Sequence, residues 1–155
     1  MQFANYFFAS IISFLGLLIG ILLVKIAPEE QNPYRRYFSL LKRILLLMIF
    51  AFLIFFYLDK WLYIVSLAAY FLFLLFIEHS KIDLLKKSMI TYSALGVLFY
   101  LSYKNTNLFA IESSLILFYG LPDASLLYRK KEKNHYKIIF YNLGFVIISN
   151  LLYFI

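Results

Sequence analysis

Five residues with acid–base side chains lie near the predicted ends of apolar segments. They are Glu29, Glu30, Glu78, His79 and Asp123. Carboxylates and imidazole exchange protons, and the same groups bind divalent metals. If the segments that carry them are neighbours, four carboxylates and one imidazole meet at one depth. We treat them as a candidate acidic cluster. No known metal-binding or nucleotide-binding motif accompanies them, so we expect neither a metal nor a cofactor.

Glu112 is a different kind of candidate, because it lies inside an apolar segment, LFAIESSLILFYG. An ionisable group within a membrane span is costly unless it is paired, hydrated or protonated, so it is a functional candidate by default. Leu115 and Ile116, three and four residues further on, share its helix face and are apolar, so its partner must come from another helix. Asn142 and Asn150 are the candidate partners, and Asn150, or a tyrosine near the same end of the bundle, is at the better depth. The alternative is an ordinary interfacial role, with Glu112 reaching back toward the end of its span.

The segment PEEQNPYRR, residues 28–36, has a structural interpretation beside the catalytic one. Proline suits the first position of a helix, and acids in the first turn favour the positive end of the helix dipole. Pro122 and Asp123 fit the same pattern, with Gly120 as a helix cap before them. We therefore expect both segments to end one helix and begin a short one.

The elements that carry these residues are membrane spans. Of 155 residues, 64% are hydrophobic and only 15% are charged, whereas soluble domains have about 25% charged residues. Phe3 to Val24 contains no charge, and about 20 apolar residues span a bilayer as a helix. We predict an all-α fold, a compact bundle of six transmembrane helices in a single domain. The predicted helices lie near residues 3–27, 37–58, 61–78, 88–103, 106–121 and 137–155. The chain has no cysteine, which excludes disulfides and thiolate metal sites.

The basic residues predict how the chain is threaded. Thirteen of the 15 lie around three of the five connections, and basic short loops stay in the cytoplasm. We expect a multi-pass protein of the plasma membrane with both termini outside. The basic loops would face anionic lipid headgroups, and nucleic acid is not an expected partner. The three groups are Lys25, Arg35, Arg36, Lys42 and Arg43; Lys81, Lys86 and Lys87; and Arg129, Lys130, Lys131, Lys133 and Lys137.

Two further patterns concern packing. PEEQNPYRR and PDASLLYRK, which starts at Pro122, share a proline, an acid and a Tyr-Arg-basic triplet at equal spacing. The pattern fits a repeated helical hairpin, residues 1–58 and 106–155. Alternatively, any segment that re-enters the membrane at this interface favours a proline, an acid and basic flanks. Gly16 and Gly20 form a GxxxG motif that permits close helix packing, within the chain or against a second copy.

These observations leave three functions open. A small integral membrane component of transport or of a larger complex would use Glu112, Asn142 and Asn150. A membrane-embedded hydrolase or transferase, acting on lipid or peptide at the cytoplasmic face, would need the acidic cluster to line one cavity. A purely structural subunit, bound to a protein partner or to a second copy of itself, would need neither.

Overall fold

The computed structural model describes residues 2–128 and 135–155, without the side chains of residues 30–32. Arg129, Lys130, Lys131 and Lys133 of the third basic connection lie outside these residues. The described chain is all-helical. Its elements are α1 (Phe3–Ile26), a 3₁₀ turn (Pro28–Glu30), α2 (Gln31–Phe56), α3 (Trp61–His79), α4 (Leu84–Ser102), α5 (Thr106–Leu127), α6 (His135–Asn142) and α7 (Gly144–Tyr153).

The helices form a membrane-spanning bundle, as predicted. In the described part of the chain, five segments are long and apolar enough to cross a membrane: α1, residues 33–56 of α2, α3, α5, and α6 with α7 as a single span. The remaining helix, α4, is less apolar, and ten of its 19 residues are buried. It lies in the middle of the bundle, where its polar side chains meet other helices rather than lipid. By contrast, only three of the 19 residues of α3 are buried, so α3 is a peripheral helix.

α1 packs most closely against α5, and the two helices run in parallel. The Ser13 Oγ lies 3.1 Å from the Ser113 carbonyl oxygen, and Tyr6 stacks on Phe109 nearer the start of both helices. Glycines allow this approach. A Cβ on Gly16 would overlap the Leu117 carbonyl oxygen, and one on Gly20 would lie 2.6 Å from the Ala124 Cβ. The GxxxG motif therefore packs within the chain.

The bundle has two distinct ends. α1, α3 and α5 finish, and α2, α4 and α6 begin, at an end that we call the basic end. The opposite end holds Gln2, Ile155 and the two short connections. There Asn105 caps α5 by accepting from the backbone N–H groups of Asn107 and Leu108. The Tyr57 hydroxyl also donates to the Leu101 carbonyl oxygen at 2.7 Å, which ties the α2–α3 connection to α4.

Two helix boundaries differ from the sequence prediction by about two turns. α2 begins at Gln31 rather than near residue 37, because Pro33 falls in the first turn, where a missing N–H breaks no helical bond. α5 does not end near residue 121 but continues through Pro122 to Leu127. Gly120 is consequently not a helix cap. It is a contact point, since a Cβ there would overlap the backbone of Leu17.

Candidate functional site

A buried ion cluster lies near the basic end of the bundle. The Lys42 Nζ is 2.8 Å from Asp123 Oδ1 and 3.4 Å from Glu78 Oε2. The Lys42 side chain is 8% exposed and that of Asp123 is 1% exposed, whereas that of Glu78 is 20% exposed. One cation between two carboxylates leaves the cluster with one formal negative charge when all three are ionised. Charges this deeply buried persist only when they are paired.

Two neutral residues complete the cluster. The Ser88 hydroxyl lies 2.7 Å from Asp123 Oδ2 and 2.8 Å from Asn142 Oδ1. A hydroxyl has a single proton, so Ser88 donates to one of these oxygens at a time. The Asn142 amide in turn donates to the Ile138 carbonyl oxygen at 2.8 Å. Five helices, α2 to α6, thus contribute one side chain each to what we call the Lys42 cluster.

The helix boundaries explain how these side chains meet. Because α2 starts at Gln31, Lys42 is about 16 Å along the helix and already inside the bundle. Because α5 continues past Pro122, Asp123 faces the interior rather than beginning a new helix. Proline is tolerated inside membrane helices where neighbouring groups satisfy the freed backbone.

The structure brings together only part of the predicted acidic cluster. Glu78 and Asp123 do converge, but they meet at Lys42 and not at Glu29 or His79. Glu29 and His79 are exposed, and neither forms an ion pair with a described side chain. The side chain of Glu30 lies outside the described residues. Within the described residues, no group of three His, Asp or Glu side chains is arranged to hold a metal.

Glu112 is fully buried in the interior of the bundle, as predicted. Neither of its carboxyl oxygens has a hydrogen-bond partner in the described chain. The expected hydrogen bond to Asn150 is not formed. Instead the Asn150 amide donates to Ser10 Oγ at 3.0 Å and to the Val146 carbonyl oxygen at 2.7 Å. Asn142 is in the Lys42 cluster and does not reach Glu112 either.

Asn150 nevertheless lies at about the depth of Glu112. The pairing of Ser13 with Ser113 puts Glu112 level with the Ser10–Ser13 turn of α1, and Asn150 binds Ser10 in that turn. The Asn150 Oδ1 is buried and, like the Glu112 carboxyl, has no partner among the described groups. The predicted depth was therefore right, and the predicted hydrogen bond was wrong.

Two buried tyrosines lie between Glu112 and the Lys42 cluster. Tyr119 of α5 is fully buried, with its ring centroid 5.7 Å from the Lys42 Nζ. Its ring is 6.0 Å from that of Tyr92 on α4, which is also fully buried. The Tyr92 hydroxyl lacks a hydrogen-bond partner within residues 2–128 and 135–155, whereas the Tyr119 hydroxyl faces the Lys42 ammonium. Buried polar atoms without partners are rare in native proteins, and each calls for an explanation.

Three of these groups, Glu112, Tyr119 and Asp123, follow one face of α5, whereas Tyr92 belongs to α4 and Asn150 to α7. Glu112, Ile116, Tyr119 and Asp123 are buried and spaced by four, three and four residues, which is the spacing of a single helix face. Glu112 and Asp123 are about 16 Å apart along the helix, roughly half of a hydrocarbon core of about 30 Å. We call the series from the Lys42 cluster through Tyr119 and Tyr92 to Glu112 and Asn150 the polar track.

A cavity of about 530 Å³ opens beside the Lys42 cluster at the basic end. Lys42, Glu78 and Asp123 form its inner part, while Arg35, Arg36 and Ser39 of α2 form its outer part. Leucines of α4 and α5 form an apolar wall. Neither Glu29 nor His79 lines it, so it is not the cavity that the predicted enzyme site required.

Sequence reasoning missed Lys42, Ser88, Tyr92 and Tyr119. The sequence predicts that α2 starts near residue 37, which places Lys42 among the basic residues that flank a loop. Lys42 and Arg43 are adjacent in an apolar run, and nothing in that run indicates which of the two faces inward. The structure buries Lys42 and exposes Arg43.

Comparison with protein-family models, with curated proteins and with solved structures finds no significant match for this chain.

Proposed function

We propose that this protein is a proton-translocating component of membrane transport, in which the polar track carries the proton. The single observation that supports this most strongly is that buried oxygens of Tyr92, Glu112 and Asn150, which have no hydrogen-bond partner among the described groups, continue inward from the paired Lys42 cluster. The interior around them consists of buried aromatic and aliphatic side chains. A path between such groups suits a proton better than a larger solute.

The chemistry of the track fits a relay. Carboxyl groups and hydroxyls can each accept a proton on one oxygen and give one up. Chains of Asp, Glu and similar groups inside membranes commonly mark proton relays. At the basic end, the Ser88 hydroxyl can turn between Asp123 and Asn142, and Asp123 is held by Lys42.

The other two functions have less support. An enzyme built on the acidic cluster would need Glu29 and His79 beside Asp123, whereas both side chains are exposed and outside the cavity. A purely structural subunit gives no reason for a buried Glu112 that accepts no hydrogen bond from the described chain.

The proposal is tested with purified protein in liposomes that contain a pH-sensitive dye, under a potassium diffusion potential. We expect proton flux above that of empty liposomes. Glu112→Gln and Tyr119→Phe should each lower this flux by about tenfold or more, the usual lower range for loss of a proton-transfer group. Tyr119→Phe is the sharper test, because it removes a single oxygen.

Matched controls come from exposed residues. Asp83→Asn and Tyr63→Phe make the same chemical changes at exposed positions and should leave the flux unchanged. Flux no greater than that of empty liposomes, or equal flux in wild type and in both track variants, would reject the proposal.

A further inference from the structure

The cavity at the basic end carries positive charge that has no part in the polar track. Three cations and two carboxylates line it, which leaves one positive charge in excess. Lys42 is already between Asp123 and Glu78. The excess therefore resides at Arg35 and Arg36, which form no ion pair with any side chain that the structure describes.

The register of α2 organises the outer part of the cavity. Arg35, Ser39 and Lys42 are spaced by four and three residues, so they follow one face of the helix, with Arg36 beside them. Arg35 lies about 10 Å from Lys42 along the axis, toward the start of α2. The cavity thus runs from arginines at the end of the bundle to the buried cluster.

Guanidinium groups bind phosphate oxygens through paired N–H donors, and this geometry makes arginine the residue of choice for phosphate recognition. Ser39 adds a hydroxyl next to the arginines. On the other side, Leu84, Leu126 and Leu127 supply an apolar wall that suits the carbon part of an ester. The volume of about 530 Å³ is within the range of about 300–1,000 Å³ of small-molecule sites.

We infer that this cavity is a binding site for a phosphate ester, with the phosphate held by Arg35 and Arg36 and the ester carbons against the leucines. The site does not depend on proton conduction by the track. The phosphate can belong to a lipid headgroup or to a soluble phosphomonoester, since both present the same oxygens.

An experiment with two arms distinguishes a lipid headgroup from a soluble phosphomonoester. In the first, delipidated protein in detergent is titrated with glycerol 3-phosphate and with inorganic phosphate by isothermal calorimetry. In the second, protein in phosphatidylcholine nanodiscs with and without phosphatidic acid is analysed by native mass spectrometry for retained lipid. Binding in the first arm indicates a soluble ester, and selective retention of phosphatidic acid indicates a lipid.

The double variant Arg35→Gln/Arg36→Gln should weaken binding at least tenfold in whichever arm binds, as expected for lost hydrogen bonds to a charged group. Both side chains are exposed, so the fold should survive, and size-exclusion chromatography checks this. Arg43→Gln is the matched control, because Arg43 is an exposed arginine of the same helix outside the cavity. Its affinity should stay within about twofold of wild type, the size expected of a surface change.

Two results would overturn the inference. The first is the absence of binding in both arms. The second is an equal loss in Arg43→Gln and in the double variant, which would mean that general surface charge, rather than this cavity, attracts the phosphate.

Discussion

At the scale of single residues, Lys42 is the side chain on which the buried cluster depends. It pairs with two carboxylates, one of which, Asp123, is almost completely buried. Removing one partner of a buried ion pair typically costs about 3–5 kcal/mol, whereas replacing a pair by apolar groups is often neutral.

We therefore expect Lys42→Met to destabilise the protein by about 3–5 kcal/mol, and Lys42→Met/Asp123→Leu to recover most of that loss. The measurement is the melting temperature in detergent micelles. Lys60→Met, which removes an exposed cation at the opposite end, is the control and should have little effect. If the double variant melts as low as the single one, Lys42 stabilises the fold by some means other than pairing with Asp123.

Glu112 is expected to behave in the opposite way. Its carboxyl is buried without a partner among the described groups, a situation that costs about 1–3 kcal/mol for a polar group. Glu112→Leu should then raise the free energy of unfolding by about that amount while it abolishes proton flux. Asp59→Leu, at an exposed acid, should change stability by no more than about 0.5 kcal/mol. A clear loss of stability in Glu112→Leu would show that the carboxyl has a structural role.

The burial of Glu112 could be predicted from the sequence, whereas that of Lys42 and of the two tyrosines could not. A lone acid in an apolar run could be assigned to the interior because the cost of exposing it to lipid is high, and Glu112 is indeed buried. Lys42 could not be assigned, since its neighbour Arg43 has the same charge and the same apolar surroundings. The tyrosines of the track look like the chain's many other aromatic residues, so their burial depends on tertiary packing.

At the scale of the elements, the contact between α1 and α5 determines the shape of the bundle. Gly16 lies where any side chain would meet backbone rather than a movable side chain. Backbone cannot shift to accommodate an added group as a flexible side chain can, so overpacking there is costly.

Gly16→Ala should force α1 away from α5. Overpacking of this kind costs about 1–3 kcal/mol, so the melting temperature should fall by several degrees. Gly144→Ala is the matched control, because a Cβ there would meet only the Ser93 Oγ at 2.9 Å, and that hydroxyl can rotate away. Equal melting temperatures for the two variants would mean that the α1–α5 contact adjusts more readily than the structure indicates.

The helices themselves could be predicted well, and their ends could not. Long uncharged runs are enough to identify a span, but the prolines of PEEQNPYRR and of the segment from Pro122 predict helix boundaries that the structure does not have. Pro33 instead lies in the first turn of α2, and Pro122 lies inside α5. For Pro122, the packing context is formed by α1, which lies about 100 residues earlier in the sequence.

At the scale of the whole molecule, the threading predicted from the basic residues awaits a direct measurement. The chain has no cysteine, so single cysteines can be introduced without background. Gln2→Cys and Asn105→Cys, both exposed at the opposite end, should react with an impermeant maleimide on intact cells. Lys81→Cys, exposed at the basic end, should react only after permeabilisation. The reverse pattern of labelling would invert the orientation, because loops rich in Lys and Arg would then be outside.

Lys42 and α1 both pair with α5, which is synthesised much later, and this has a consequence for folding during synthesis. Lys42 leaves the ribosome 81 residues ahead of Asp123, a delay of about 4–16 s at about 5–20 residues per second. During that interval α1 also lacks the helix against which its glycines pack. Glu78, which follows Lys42 by 36 residues, is the first acid of the cluster to be synthesised. In the nascent chain, Lys42 would therefore pair with Glu78 before Asp123 is synthesised. Glu78 would neutralise the lysine during synthesis as well as in the folded protein.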